Sequence, residues 1–288
     1  MKKKKDISGF LYILPSFVLI LIFSLIPILM NVYFSFTKYN VFQPPEWVGL
    51  QNYARLLKDY YVVDSLRNTL IYTLITVPLQ TIGSLILAAV IAGFFRNRFG
   101  QFVKGSLFVP TIASGILIGT LWFLFLAPRG VINEILNMVH IPSVTWLGGK
   151  YSSMISVCIV SIWKNVGYFL VIYYAGIMDI PKELYDAAKV DGANGIQCFW
   201  NITLPGLKNI TYLVLTLGMI WSFQVFDIVY IMTGGGPGTS TITLVMTIYN
   251  AAFKEYNMGY ASAVALLLFV FILLVNIVQK RFFKEEEG

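Results

Sequence analysis

The sequence predicts an all-α polytopic membrane protein with six transmembrane helices. Apolar residues make up 57% of the 288-residue chain and charged residues only 12%. Mean hydropathy is +0.74. Long uncharged runs alternate with short charged loops, and about 20 helical residues suffice to cross a hydrocarbon core of roughly 30 Å. This composition excludes a disordered tail, a coiled coil and a disulfide scaffold.

The first run covers 7–37, between Asp6 and Lys38. Lys2 to Lys5 precede it as in a secretory signal, but the run is too long and lacks a small-x-small pattern before Lys38, so it reads as a retained helix. The second run, 68–95, lies between Arg67 and Arg96, and the third, 105–128, between Lys104 and Arg129. The fourth, 151–178, tolerates one charge, Lys164; the fifth, 209–232, tolerates Asp227; the last, 256–279, ends at Lys280. The chain accordingly divides into an N-terminus and first helix (1–37), an extracytoplasmic loop (38–67), a five-helix core (68–282) with a long cytoplasmic loop at 179–209, and a tail (283–288).

Orientation follows from basic residues, which stay in cytoplasmic loops. The termini and the loops on their side hold Lys2, Lys3, Lys4, Lys5, Arg96, Arg98, Lys104, Lys182, Lys189, Lys208, Lys280, Arg281 and Lys284. Only Lys38, Arg55, Lys58, Arg67, Arg129, Lys150 and Lys254 lie opposite. Both termini are expected on the cytoplasmic side of the cell membrane. The net charge of +7 is thus mostly topological, and no aromatic-interleaved basic patch suggests nucleic acid.

Catalytic chemistry finds no support. No G-x-x-x-x-G-K-[ST] motif occurs, the Gly234–Gly238 run lacks a lysine, and His140 is the single histidine. Metal catalysis and a Ser-His-Asp triad are unsupported, and an enzyme is not expected. A disulfide between Cys158 and Cys198 is not expected either, since one lies in a span and the other in a cytoplasmic loop.

The loop at 179–209 reads as helix, turn, helix. Pro181 suits a first helical position, Glu183 complements the helix dipole, and Asp186 and Lys189 share a face. Gly192 permits the left-handed geometry that ends the helix, Asn194 caps a second short helix, and Pro205 closes it. Its alanine pair and glycine favour close approach of another protein over anchoring in lipid.

Asp186-Ala187-Ala188, Asp191-Gly192-Ala193, Phe199 and Ile202-Thr203-Leu204-Pro205 resemble the EAA loop of importer-type ABC transporter permeases, in the maltose-type carbohydrate uptake family. Asp186 stands where that family usually has glutamate. Trp47-Val48-Gly49-Leu50-Gln51-Asn52-Tyr53, Asn68-Thr69 and Thr233-Gly234-Gly235-Gly236-Pro237 extend the resemblance along nearly the whole chain. It implies a type I ABC importer permease fold and the role of permease subunit in an ATP-driven sugar importer, with an oligosaccharide as the expected cargo. The implied partners are a second homologous permease, ATP-binding cassette ATPase subunits that carry ATP and Mg, an extracytoplasmic sugar-binding protein and membrane lipid. No cofactor is expected in this chain. Glu183, Asp186, Ala187, Ala188, Asp191, Gly192, Ala193, Phe199 and Pro205 are implied to couple to the ATPase.

Polar residues within spans are costly against lipid. Ser161, Asn165 and Tyr168 fall on one helix face, which either points to a translocation path or binds neighbouring helices. Gly115-x-x-x-Gly119, with Thr111 upstream, usually signals packing. Aligned on the family, Thr111, Gly115, Ser161, Asn165, Tyr168, Trp221, Ser222, Gln224 and Val225 fall near positions that line its sugar site, and rings with amide and hydroxyl groups suit a neutral polyol. Helical rise puts Lys164 roughly 20 Å from the outer start of its span and Asp227 about 9 Å from the outer end of its own, which weakens a salt bridge between them. The alternative reading is a secondary carrier driven by an ion gradient, for which inverted repeats and a buried carboxylate would be expected.

Overall fold

The computed structural model describes residues 8–95 and 97–285, with side chains from Tyr12 to Phe283. Lys2 to Lys5, Arg96 and the last three residues lie outside the described residues, as does the Lys284 side chain. The chain begins with α1 (Ser8–Ile20), a π-helical turn (Leu21–Leu25) and α2 (Ile26–Ser35), then a two-residue ladder of β1 (Thr37–Lys38) and β2 (Glu46–Trp47). After α3 (Gln51–Leu56) come α4 (Tyr60–Phe94), α5 (Arg98–Ile112), α6 (Gly115–Phe125), α7 (Val131–Met138) and α8 (Lys150–Asp179). The loop region follows as α9 (Lys182–Val190), α10 (Gly195–Cys198), a second π turn (Phe199–Thr203) and α11 (Leu204–Gly206). The chain ends with α12 (Lys208–Phe223), α13 (Asp227–Met232), α14 (Leu244–Tyr249), a third π turn (Asn250–Lys254) and α15 (Met258–Glu285).

Among the described residues four helices are long and apolar enough to cross a membrane: Tyr12–Ser35, Tyr60–Phe94, Lys150–Asp179 and Met258–Phe283. Counting α5 and α6 as one span gives five. That pair corrects the expectation of an unbroken third span at 105–128, because it is bent by 99°. Ala113 is extended (ψ 143°), and the Ser114 hydroxyl accepts from the Leu117 amide, so a new helix is capped where the apolar run continues. The predicted fifth span, 209–232, is likewise divided. Its first helix ends at Phe223, and Asp227 opens α13, where a carboxylate complements the helix dipole. The second span starts at Tyr60, not 68, since Asp64 and Arg67 are charged but helical.

The described residues form two compact units. One takes in residues up to Val62 together with Thr247–Val270. Its first helix buries none of its most apolar window, as expected of a surface turned to lipid. The π turn precedes Pro27, which has no amide hydrogen for an ordinary helical bond. The Asn52 amide donates to the carbonyls of Ser35 and Thr37 at 2.9 Å each, and the Tyr53 and Ser35 hydroxyls lie 2.7 Å apart. Phe36 stacks on Trp47 at 5.5 Å. The Trp47–Tyr53 motif therefore folds back over the end of its span, turning at Gly49 with φ +60°. In the same unit the Tyr260 hydroxyl donates to Asp59 Oδ2 at 2.6 Å, beneath the Arg55 guanidinium at 4.1 Å from the ring.

The second unit comprises 63–246 and 271–285 of the described residues. α8 is its central helix, burying Val157, Val160, Phe169, Leu170 and Tyr173 completely. Close approach depends on glycine. A Cβ on Gly167 would run into the Leu107 carbonyl of α5, and one on Gly176 into Ile210 at the start of α12. Around the N-terminal half of α8 the core joins Ile118, Met154, Ile228, Val229 and Met232; around its C-terminal half Ala88, Ile91, Leu207 and Val214 join it.

The α5–α8 contact yields a prediction. Gly167→Ala should lower stability by about 1–3 kcal/mol through overpacking against backbone. Gly105→Ala, with nothing within 4 Å of the added Cβ, should leave it unchanged or slightly raised. Apparent melting temperatures of the two proteins in detergent test this, and equal values would refute it.

Candidate functional site

The loop between α8 and α12 projects an exposed helical hairpin. Pro181 stands at the N-cap of α9, not at its first helical position, with φ −54° and ψ 129°. Glu183 lies in the first turn. The helix ends as Gly192 adopts φ +81°, which allows the Ala193 amide to reach back to the Ala188 carbonyl at 2.8 Å. Asn194 then caps α10 through a reciprocal box with Gln197, each amide bonded to the other's side chain at 2.8 and 2.9 Å. Pro205 does not close this helix. The chain passes through the π turn at Phe199–Thr203 into α11 and α12, and Pro205 follows that turn within a continuous helical run, as Pro27 follows the first π turn.

Glu183, Asp186, Ala187, Asp191 and Gly192 are exposed, while Ala188, Ala193 and Phe199 are half-buried. Leu184 is 50% exposed and Val190 88%, so α9 carries an uncovered apolar strip beside its charges. Asp186 and Lys189 approach to 3.8 Å at the surface, a contact of little energetic weight. The Tyr185 hydroxyl lies 2.9 Å from Thr203 Oγ1 and ties the hairpin to the helical run that leads into α12.

That run ends at the polar residues. The Tyr168 and Trp221 rings meet at 4.9 Å, with Phe169 5.5 Å from each. Trp221 is 37% exposed and Asn165 half-buried, whereas Ser161 is 1% exposed and Ser222 4%. Ser222 Oγ lies 3.2 Å from Thr76 Oγ1 of α4. Gln224 is exposed at the C-cap of α12, and the Val225 carbonyl accepts from Thr243 Oγ1 at 3.1 Å. Thr111 Oγ1 donates to the Lys164 carbonyl at 2.9 Å, holding the bend between α5 and α6 to α8. Gly115 faces Asp227, whose Cβ would lie 2.7 Å from an added Cβ, and Gly119 faces Ile231 at 3.1 Å. The GxxxG pair therefore serves the close contact of α6 with α13. Tyr168 and Trp221 are thus brought together, whereas Gly115, Ser161 and Ser222 are committed to packing in this arrangement. Among the described residues no ion pair joins Lys164 to Asp227, and no cluster of His, Cys, Asp and Glu could hold a metal.

Residues 61–285 match the family model described as binding-protein-dependent transport system inner membrane component. The chain belongs to this family. It is 35% identical to the probable ABC transporter permease protein YurN of Bacillus subtilis over 288 residues, covering 99% of this chain and 98% of the relative. It is 31% identical to the trehalose/maltose transport system permease protein MalF of Thermococcus litoralis, covering 96% and 94%. The fold matches a chain in the crystal structure of a bacterial ABC transporter involved in the import of the acidic polysaccharide alginate, with a TM-score of 0.87 at 23% identity over 98% of this chain and 96% of that one. The reading of the chain as a secondary carrier driven by an ion gradient finds no support in these similarities.

Charge-based reading missed an inward polar stripe in this inner membrane component. Ser65, Asn68, Thr69, Thr73, Thr76, Gln80, Thr81 and Ser84 of α4 are all buried. Their spacing of three and four was the available signal. The stripe has identifiable work. Asn68 Nδ2 donates to the carbonyls of Thr239 and Ile242 at 2.6 and 3.0 Å, and Thr69 Oγ1 accepts from the Leu244 amide at 3.1 Å. These bonds pin the glycine-rich segment, whose Gly234, Gly235 and Gly238 have positive φ. Lower down, the Gln80 amide fills the space above Gly218 on α12, 2.9 Å from where a Cβ would stand.

The hairpin geometry carries the second prediction. Gly192→Val places a β-branched residue at φ +81°, and amide exchange over 187–194 in the membrane-inserted protein should accelerate, by about tenfold or more, with exchange in α8 unchanged. An unchanged exchange profile would show that the turn does not depend on glycine.

Proposed function

We propose that this chain lines the translocation path of an ATP-driven carbohydrate importer, paired with a second homologous permease and served by ATPase subunits and an extracytoplasmic sugar-binding protein. The reading is supported above all by one observation: the exposed hairpin is inserted between α8 and α12, the two helices that bring Tyr168 and Trp221 together. Relatives named for carbohydrate systems, among them that for trehalose and maltose, add support. In this reading the α5–α6 pair and the α12–α13 pair each complete one crossing, so that six spans place both termini in the cytoplasm, in keeping with the distribution of Lys and Arg.

The mechanism follows from continuity. Closure of the ATPase displaces α9, whose Glu183, Asp186 and exposed Ala187 offer charge and close backbone approach. The Tyr185–Thr203 bond passes that displacement to the run leading into α12, which carries Trp221 and Ser222. An ATPase alters access to a site only by binding the two states differently, and a shared element supplies the required coupling. ATP and Mg belong to the partner. Tyr168 and Trp221 supply aromatic faces, and Asn165 and Gln224 supply amides, for hydroxyl-rich rings.

Two outcomes test this. Uptake of labelled oligosaccharide should stop when ATP is depleted and survive collapse of the proton gradient at constant ATP; the reverse pattern would favour an ion-coupled carrier. Tyr168→Ala and Trp221→Ala should each lower uptake by about tenfold with normal membrane levels, the scale of one lost ring contact. Unchanged uptake in both would return the ring pair to packing.

A further inference from the structure

At the N-terminal ends of α4 and α8 lies a cavity of about 610 Å³, lined by Arg67, Ile71 and Ile75 of α4, by Lys150, Tyr151, Met154 and Ile155 of α8, and by the Pro237–Ser240 segment. Four of its polar side chains, Asp64, Asn68, Thr239 and Ser240, are already engaged. Asp64 accepts from Thr239 Oγ1 at 2.5 Å, Asn68 donates to two carbonyls, and Ser240 lies 3.3 Å from Ser153. Arg67 and Lys150 are different: among the described residues neither has an acidic partner. The N-cap of α8, Gly149, has no capping side chain, which leaves the positive end of a 30-residue helix at the same mouth.

The lining is ordered with depth. In α4 the cation comes first and Ile71 and Ile75 follow at steps of about 6 Å; in α8 Lys150 and Tyr151 come first and Met154 and Ile155 follow one turn later. Tyr151 is 74% exposed, as rings at a membrane interface commonly are. A sugar would find no partner for its hydroxyls against the isoleucines and methionine. A phospholipid matches both layers, its phosphate at the cations and an acyl chain along the apolar floor.

We propose that this cavity is a binding site for an anionic phospholipid, with Arg67 and Lys150 holding the phosphate and Ile71, Ile75, Met154 and Ile155 receiving an acyl chain. Basic side chains near a membrane surface attract anionic headgroups.

The test uses the full chain purified with its co-expressed partners, exchanged into vesicles of equimolar phosphatidylglycerol and phosphatidylcholine, with retained lipid read by native mass spectrometry. The wild type should retain phosphatidylglycerol over phosphatidylcholine by about tenfold. The preference should vanish in Arg67→Ala/Lys150→Ala, persist in Arg67→Lys/Lys150→Arg, and give way to loss of both lipids in Ile71→Trp, which fills the floor and spares the cations. Equal retention by the wild type, or an undiminished preference in the double alanine variant, would overturn the proposal. So would a double alanine variant that keeps its lipid but loses affinity for an extracytoplasmic binding protein, since the cations would then serve protein docking. Lipid retention is read without transport, so its failure leaves the carbohydrate-importer reading standing.

Discussion

A hydrocarbon solvent offers no hydrogen-bond partner, so every polar group placed in a span must find one inside the protein or line an aqueous path. Much of the second unit follows from this requirement. The buried stripe on α4 finds partners in the glycine-rich segment at Asn68 and Thr69, in Ser222 of α12 at Thr76, and in its own helix, where Thr69, Thr76 and Ser84 donate to carbonyls one turn away, while Thr73 Oγ1, Gln80 Oε1 and Thr81 Oγ1 have no hydrogen-bond partner among the described residues. α15 repeats the device on another side of α12, where Gln279 Nε2 donates to the Tyr212 carbonyl and Thr216 Oγ1 at 3.3 and 3.0 Å. α12 is therefore oriented by directional polar contacts, with apolar packing around them. In a membrane, where lipid tails are as apolar as leucine, such contacts and small-residue approaches carry much of the specificity.

The same helix is reached from the exposed hairpin without a flexible linker. Backbone bonds continue from Asn194 through the π turn, the Leu207 amide reaching the Thr203 carbonyl at 3.0 Å and the Thr211 amide the Leu207 carbonyl at 2.7 Å. Gly206 lets Ile180 at the end of α8 pack against this run, an added Cβ standing 2.9 Å from Cδ1. A body so connected at one end and polar at the other suits transmission between a soluble partner and a site inside the membrane.

Much of this was legible in the sequence, and the reasons are local. Asp191-Gly192 announced the left-handed turn, and Asn194 announced a cap, because both signals depend on a few bonds within one turn of chain. The motifs Trp47–Tyr53 and Asn68-Thr69 were visible as resemblances, and the structure supplies their physical work as hydrogen bonds to neighbouring backbone. What charge could not mark was direction. The bend at Ala113–Ser114 and the break before Asp227 fall in uncharged sequence, and hydropathy records solvent preference and not helix continuity. The α4 stripe escaped for a related reason: hydroxyl and amide side chains do not interrupt an uncharged run. Asp64 and Arg67 misled in the opposite sense, ending the apolar run while the helix continued around them.

The central claim is that α9 and the far end of α12 move as one body. Spin labels at Val190, Gln224 and Leu74, all exposed, measure it by pulsed dipolar spectroscopy on the assembled transporter with and without ATP. The account predicts an unchanged Val190–Gln224 distance and, as the Thr76–Ser222 contact opens, a shifted Gln224–Leu74 distance. A changed Val190–Gln224 distance with Gln224–Leu74 fixed would mean that the π turn absorbs the motion, and would contradict it.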